Sequence, residues 1–381
     1  MAKVPDLSAT QFFASTYAKA RKAFLAGAEG HGAIVCSYIQ PGITGPTGEA
    51  LAIDTAWFGA KDAACVHVAL SGTHGLEFAC GSAGQMQWMA SGEAETLPDD
   101  VAVLLIHAVN PYGAACRSRT NADHVDLNRN FRRSTHLRKP PAVYAKAKAA
   151  ITLRGAHIDD LYALQSAFDA LMETENPGDV MIAIAGGQDV DPDGPAYGGG
   201  EPSWETATLL QIIEDQLQDA QQVAIVDWHT GLGPHGEASL IFNHPEGSEE
   251  YKLGCAWWGE PAKAADLYDA GTAPVIEGEV SEGMAEALQA TGCAAVTSVI
   301  EIGTFDNRAL LPAFAIDRWL RANPEAADSP EGIRMQTLMA EWYSPSLPSW
   351  REMALAQMAR IYRSTISGLA EWSEQNAAPV D

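Results

Sequence analysis

Residues 65–77, CVHVALSGTHGLE, decide the fold of this chain. The run at 65–70 is almost wholly apolar, and turn residues follow it at once. This pattern predicts a buried strand that ends in a loop carrying His74 and Glu77. A helical pattern follows the loop, and the order of strand, loop and helix is typical of α/β proteins.

Similar short runs predict six more strands, at 33–39, 51–58, 101–107, 223–228, 238–242 and 295–302, with a turn at 41–49. Several of these runs are apolar throughout, which is typical of strands buried on both faces of a sheet. Helical spacing predicts helices over 10–27, 142–175 and 204–220 and over most of the chain after 308. We therefore expect one α/β domain with a mixed, mostly parallel sheet flanked by helices.

The composition excludes several classes of function. The chain has 381 residues, 47% of them hydrophobic, and 24 Lys+Arg against 49 Asp+Glu give a formal net charge of −25. So acidic a protein is a poor match for nucleic acids or anionic membranes, which attract cationic surfaces. No apolar stretch reaches the length of a membrane span, and no signal-peptide pattern begins the sequence. Six cysteines without a CxxC pair are expected to be reduced, and we predict a cytoplasmic protein.

Three side chains near strand ends predict a metal site. His74 and Glu77 follow the strand at 65–70, and His229 follows the strand at 223–228. The carboxyl ends of strands form the ligand-binding edge of an open α/β sheet. Two histidines and a glutamate are the ligand set of a catalytic zinc site that keeps its fourth position for water. The residues thus predict one Zn²⁺ per chain, and the alternative is a pair of hydrogen-bonded loop histidines.

Charged residues near these positions suggest further roles. Glu301 ends an apolar run, where a carboxylate is costly to bury without a partner or a function. It is either a general base or a salt-bridged edge residue. Seven basic residues between 117 and 139 predict an anion pocket or, alternatively, a set of surface ion pairs; they are Arg117, Arg119, Arg129, Arg132, Arg133, Arg138 and Lys139.

Five motifs in chain order resemble those of the M14-type zinc carboxypeptidases and their deacylase relatives. They are THGLE at 73–77, NPYG at 110–113, VDLNRNF at 125–131, DWHTG at 227–231 and IEIGT at 300–304. The sequence is most similar to the uncharacterised bacterial M14-like group DUF2817, which it also resembles through GPAYGGGEPSW at 194–204 and HTGLGPHG at 229–236.

This resemblance implies a role for each matching residue. It implies His74, Glu77 and His229 as zinc ligands and Glu301 as the catalytic glutamate. Asn128 and Arg129 match the pair that holds a substrate carboxylate. Arg119 matches the arginine that stabilises the oxyanion better than Arg117 does. The family's mobile tyrosine has two possible counterparts here, Tyr197 and Tyr343.

The resemblance also implies an architecture. It predicts one α/β domain over 1–381 with a central mixed sheet of eight strands. The motifs lie between about 66 and 305, an insert at 139–200 is expected at the mouth of the cleft, and 308–381 is expected to be helical. The deacylase relatives usually carry a β-rich extension at this end, so the helical pattern favours a peptidase or amidase.

The resulting hypothesis is zinc-dependent hydrolysis of an amide bond beside a carboxylate. The substrate is either a small peptide, as for a carboxypeptidase, or an N-acyl amino acid, as for aspartoacylase or succinylglutamate desuccinylase. A catalytically silent carboxylate-binding protein is an alternative of another class. A nicotinamide site is a third, based on GLGPHG at 231–236, although Pro234 interrupts this motif and a strand-like run follows it where a dinucleotide motif needs a helix.

Overall fold

A mixed seven-stranded sheet forms the centre of the protein in a computed structural model, which describes residues 9–131, 136–263, 267 and 276–376. The spatial order of the strands is β1-β2-β4-β3-β5-β7-β6. Their bounds are β1 (Ile34–Thr44), β2 (Ala50–Phe58), β3 (Cys65–Ser71), β4 (Val101–His107), β5 (Gln222–Gly231), β6 (Ala238–Ile241) and β7 (Ala294–Gly303).

The predicted α/β class is confirmed, and each predicted strand overlaps an observed one. One detail differs from expectation: the sheet has seven strands in the described residues, rather than eight. Five of these strands run in the same direction, and β2 and β6 are antiparallel to their neighbours. The short link between β1 and β2 permits only an antiparallel hairpin. In addition, β1 extends through the start of the predicted turn, to Thr44, across an irregularity in its register with β2.

Helices cover both faces of the sheet. In the described residues they are α1 (Tyr17–Gly30), α2 (Phe78–Ser91), α3 (Pro111–Cys116), α4 (Tyr144–Ala150), α5 (Ile158–Thr174), α6 (Pro177–Ala185), α7 (Trp204–Gln216), α8 (Glu249–Trp258), α9 (Val280–Gln289), α10 (Asn307–Ala322), α11 (Pro330–Tyr343) and α12 (Pro348–Asn376). None of these described helices has the length and apolar character that crossing a bilayer requires.

Two helix predictions needed correction. The helix expected over 10–27 begins at Tyr17, because the Thr16 side chain accepts a hydrogen bond from the Lys19 amide and caps it there. The helix expected over 142–175 is two helices, α4 and α5, separated by a segment that includes Gly155. Apolar spacing alone did not reveal either boundary.

The alternation of side chains along β4 divides the core into two layers. The odd-numbered residues from Val101 to Leu105 pack with α1, α2, α8 and α12. The even-numbered residues from Ala102 to Ile106 pack with α7 and α9 on the opposite face. Successive side chains of a strand point to opposite faces, so a strand covered on both sides is apolar throughout.

The loop after β3 packs backbone to backbone against α3. A Cβ atom on Gly75 would lie 1.9 Å from the carbonyl carbon of Gly113 and 2.4 Å from the Ala114 nitrogen. Neither backbone atom can move aside as a flexible side chain would. Gly75 therefore fixes the path of the loop that carries His74.

We expect Gly75→Ala to lower the free energy of unfolding by about 2 kcal/mol or more, because the added methyl group has no room. Denaturant unfolding followed by circular dichroism measures this change. Gly30→Ala, at the end of α1, is the matched control, since its Cβ would meet nothing within 4 Å. Equal stabilities for the two variants would contradict the proposed backbone contact.

A second prediction concerns His67 on β3. Burial lowers the pKa of His67 to about 4, although the Ala224 carbonyl partly opposes this effect. Because an unfolded histidine titrates near 6.5, the unfolded state binds more protons between about pH 4 and 6.5. The contribution of His67 to stability is therefore complete above about pH 6.5 and is lost as the pH falls through this window.

Denaturant unfolding of the wild type and His67→Phe at several pH values tests this. The substitution should make the loss of stability between pH 6.5 and 4 shallower by up to about 1.4 kcal/mol per pH unit. His31→Phe, on the exposed surface, is the control and should keep the wild-type slope. Identical slopes for His67→Phe and the wild type would rule out this contribution.

Candidate metal centre

The carboxyl ends of three neighbouring parallel strands bring the candidate residues together. His74 and Glu77 follow β3, His229 lies on β5 and Glu301 lies on β7. In the parallel register of β5 and β7, His229 is the direct partner of Glu301. The strand pairing therefore brings a candidate ligand next to the candidate general base.

The three predicted ligands form one compact group. His74 Nδ1 lies 2.9 Å from Glu77 Oε1, and His229 Nδ1 lies 3.1 Å from Glu77 Oε2. Each residue offers a potential ligand atom, and these atoms lie within 4.8 Å of one another. All three side chains are buried. Two imidazole nitrogens facing one carboxylate fit the ligand chemistry of zinc.

Two further carboxylates lie behind the histidines. His74 Nε2 is 3.1 Å from Asp126 Oδ1. His229 Nε2 is 3.0 Å from Asp227 Oδ2, an ion-pair distance at an angle outside that of a hydrogen bond. The Thr73 hydroxyl donates to Asp227 at 2.8 Å and helps to hold it. Carboxylates in this position orient metal-binding imidazoles and raise their basicity.

Asp126 and Asp227 were not predicted as site residues, although both lie within the quoted motifs. A signal existed for Asp227, because residues two apart on a strand face the same side. A D-x-H pattern on a strand therefore predicts a carboxylate beside the histidine. Asp126 had no comparable signal, since its contact with His74 joins residues 52 positions apart.

The electrostatics of the group favour a cation. Four buried carboxylates, those of Glu77, Asp126, Asp227 and Glu301, surround two imidazoles and one guanidinium. Burial raises the pKa of Glu77, but the opposing effect of His74 and His229 is larger in sum. The pKa of Glu77 therefore lies below its usual range. Even with Glu301 protonated, three carboxylates face the single guanidinium of Arg119 when the imidazoles are neutral, as metal binding requires, and such an excess of negative charge in a buried site favours a divalent cation.

Glu301 has a different environment from Glu77. Its side chain is buried, and Oε2 accepts a hydrogen bond of 3.3 Å from the Leu232 amide. Burial, reinforced by the negative charge of Glu77, raises the pKa of Glu301 to about 8. A carboxyl group with a pKa near neutrality is suited to accept and return a proton.

Arg119 lies in the same cavity, while Arg117 does not. Arg119 Nε donates to Asp126 Oδ2 at 3.0 Å, and Nη1 lies 3.7 Å from Glu77 Oε1. Arg117 is exposed, and its guanidinium donates to the Ser15 carbonyl. The position of Arg119 next to the ligand group favours it over Arg117 for the oxyanion role.

The predicted carboxylate anchor lies on a short 3₁₀ turn, Leu127–Arg129. Asn128 Oδ1 accepts from the Val280 amide at 2.9 Å, which orients the side-chain amide. Arg129 donates through Nε to the Ala185 carbonyl at 2.8 Å and through Nη1 to the Asn128 carbonyl at 2.6 Å. Both side chains are buried and line the same cavity as the ligand group.

The rest of the basic cluster divides into different environments. Arg138 is paired with Asp189 at 2.7 Å, and Lys139 is exposed. Arg132 and Arg133 lie outside the described residues. Of the described members, Arg119 and Arg129 are the two that line the cavity.

The cavity has a volume of about 730 Å³. The insert at 139–200 contributes Phe168, Met181 and Ile184 to its lining. Tyr343 also lines it, whereas Tyr197 packs against the core layer that includes residues of α7 and α9. A volume of this order is typical of sites for small molecules and short peptides.

The GLGPHG segment is not a dinucleotide motif. It connects β5 to β6, and β6 pairs with β7 in the sheet. A dinucleotide motif requires a helix at this point, with its amides directed at a pyrophosphate. The nicotinamide alternative therefore has no structural basis in this segment.

The fold of the chain is similar to that of several solved structures. Bovine thrombin-activatable fibrinolysis inhibitor, solved with tick carboxypeptidase inhibitor, has a TM-score of 0.50 at 9% identity over 95% of this chain and 99% of that chain. A metallo-carboxypeptidase from Burkholderia cenocepacia has a TM-score of 0.37 at 14% identity, over 90% of this chain and 68% of that chain. Murein-tripeptide amidase MpaA from Escherichia coli O157 has a TM-score of 0.33 at 18% identity, over 81% of this chain and 94% of that chain.

The chain belongs to the DUF2817 family, described as a protein of unknown function, whose model matches residues 13–357. No curated protein matches the sequence. The resemblance recognised from the motifs is thus confirmed for the family and the fold. The roles of the individual site residues remain predictions.

Replacing either outer carboxylate should weaken zinc binding. We expect Asp126→Asn and Asp227→Asn to raise the Kd for zinc by about 10- to 100-fold, because each loses the charge that supports a ligand histidine. Competition with a chromophoric chelator measures the Kd. Asp54→Asn is the control, since Asp54 is also buried and paired with arginine, Arg21, but lies on β2. Unchanged zinc affinity in both test variants would refute the assignment.

Proposed function

We propose that this protein is a zinc-dependent hydrolase of an amide bond next to a carboxylate. The observation that carries the proposal is the compact group of His74, Glu77 and His229 with Glu301 as the strand partner of His229. Cation ligands and a buried carboxyl group of raised pKa share one cavity. This combination supports hydrolysis better than ligand storage, for which Glu301 would not be needed.

The three ligands would hold the zinc ion, with Asp126 and Asp227 behind the two histidines. When bound, zinc acidifies a water molecule and polarises the scissile carbonyl group. Glu301 accepts a proton from the attacking water and delivers it to the leaving amine. The Leu232 amide holds Glu301 Oε2 during both transfers.

Two arginines serve different parts of the substrate. The Arg119 guanidinium stabilises the negative charge that develops on the carbonyl oxygen. Asn128 and Arg129 bind the substrate carboxylate and fix the amide bond relative to Glu301. Tyr343 borders the same cavity and is the better candidate for an assisting tyrosine, because Tyr197 does not line it.

A short peptide is the substrate that we favour. The chain from 307 to 376 contains the three helices α10, α11 and α12, rather than the β-rich extension expected of the deacylases. The insert and the end of α11 contribute side chains to the lining of a cavity of about 730 Å³. An N-acyl amino acid presents the same amide bond and carboxylate, so both substrate types belong in the first experiment.

A screen of the zinc-loaded protein against C-terminal peptides and N-acyl amino acids, read by mass spectrometry, tests the function. We expect loss of a C-terminal residue from peptides that carry a free carboxylate, and no cleavage of the same peptides with a C-terminal amide. Tight binding of such a ligand without turnover would indicate the silent binding protein instead.

Glu301→Gln should keep zinc but lose activity. We expect kcat to fall by about 10²- to 10⁴-fold, because the amide cannot accept the proton. Glu77→Gln should behave differently and lose zinc itself. Zinc content by mass spectrometry and turnover of the best substrate from the screen distinguish the two variants. Turnover of Glu301→Gln at the wild-type rate would exclude Glu301 as the base.

A further inference from the structure

The cavity wall contains a second unusual carboxylate, that of Glu279. Glu279 immediately precedes α9, lines the cavity and is 5% exposed. Its side chain accepts no hydrogen bond from the first turn of α9, so helix capping does not explain its burial. Within the described part of the chain, its hydrogen-bond partner is the Asn243 side-chain amide, which donates to Oε2.

Glu279 lies next to the predicted carboxylate anchor. The amide of the following residue, Val280, donates to Asn128 Oδ1 at 2.9 Å. The carbonyl of the preceding residue, Gly278, accepts from the Phe131 amide at 3.1 Å. The segment around Glu279 is thus joined on both sides to the turn that carries Asn128 and Arg129.

The charge of Glu279 has no cationic counterpart within the described residues. None of the ion pairs among these residues includes it. Burying a carboxylate without a cation is costly. A carboxylate beside the anchor would also repel a substrate carboxylate. Both costs are offset when the ligand itself brings a positive charge to Glu279.

The cavity wall near Glu279 is also suited to the methylene groups of a basic side chain. Ile241 on β6 pairs with Val299 on β7, and both line the cavity together with Phe242. Asn243, the partner of Glu279, follows directly after Phe242. Basic side chains bury their methylene groups on apolar surface and keep the charged end at a polar partner.

We propose, on the basis of the hydrolase function proposed above, that Glu279 selects substrates whose carboxylate-bearing residue has a basic side chain. Asn128 and Arg129 bind the carboxylate of that residue, the apolar wall contacts its methylene groups, and Glu279 pairs with its ammonium or guanidinium group. The amide bond then lies towards Glu301 and the ligand group. Glu279 is a specificity-determining residue in this assignment.

The first measurement is binding, which does not depend on turnover. Calorimetry with zinc-loaded Glu301→Gln compares Nα-acetyl-lysine, Nα-acetyl-arginine and Nα-acetyl-norleucine, the last of which lacks the cation. We expect the two basic ligands to bind on the order of 100-fold more tightly than the norleucine ligand. Adding Glu279→Gln should reduce this ratio to within a few-fold, with norleucine binding unchanged or tighter, because the repulsion of the ligand's carboxylate is removed as well.

Glu282→Gln is the matched control. It makes the same change one turn further along α9, at a residue that does not line the cavity, and should keep the full ratio. The ratio of kcat/KM for peptides ending in lysine and in norleucine, measured with the wild-type enzyme, gives a second test that needs no substitution at Glu279.

The outcomes separate the two proposals. Hydrolysis with equal kcat/KM for lysine and norleucine would overturn the role of Glu279 and leave the hydrolase intact. Selective binding of the basic ligands, lost in Glu279→Gln, without turnover of any peptide would support Glu279 and overturn the hydrolase. A preference for basic ligands that persists in Glu279→Gln would assign the selectivity to another residue.

Discussion

One carboxylate, that of Glu77, organises the whole candidate site. Its two oxygens face the Nδ1 atoms of His74 and His229, and Oε2 also accepts from the Thr230 amide at 2.9 Å. The loop after β3 and the strand β5 are thereby joined at one point. The same negative charge lies close enough to Glu301 to help raise its pKa to about 8. The two buried glutamates thus differ in pKa because of their neighbours, and such a difference would suit a site in which one carboxylate is a ligand and the other a base.

The sequence predicted those parts of the molecule that depend on continuous patterns. The strands at 65–70, 101–107 and 223–228 are apolar because helices cover both sheet faces, and such runs are readable from composition. His74, Glu77, His229 and Glu301 were found because each lies at or near the end of such a run. The antiparallel outer pairs could not be read in this way, because strand direction depends on connections and not on apolar content.

Other parts of the site depend on contacts between distant segments. Asp126 supports His74 across 52 positions, and the Val280 amide orients Asn128 across 152. Glu279 precedes a helix in a segment without apolar periodicity, and as one of 49 acidic residues it carries no distinguishing mark in the sequence. Its burial beside Asn128 gives it a distinct environment, and only the fold brings these residues together.

The proposed specificity changes the interpretation of the overall charge of −25. A ligand with a carboxylate alone approaches an acidic protein against its field, and Arg119 and Arg129 act only at short range. A residue that carries both a carboxylate and a basic side chain has no net charge, so the long-range repulsion is absent. Within the cavity, the two ends of such a residue would meet opposite charges, Arg129 at one end and Glu279 at the other. The acidity of the protein and the placement of its two cavity arginines are therefore compatible with one kind of substrate.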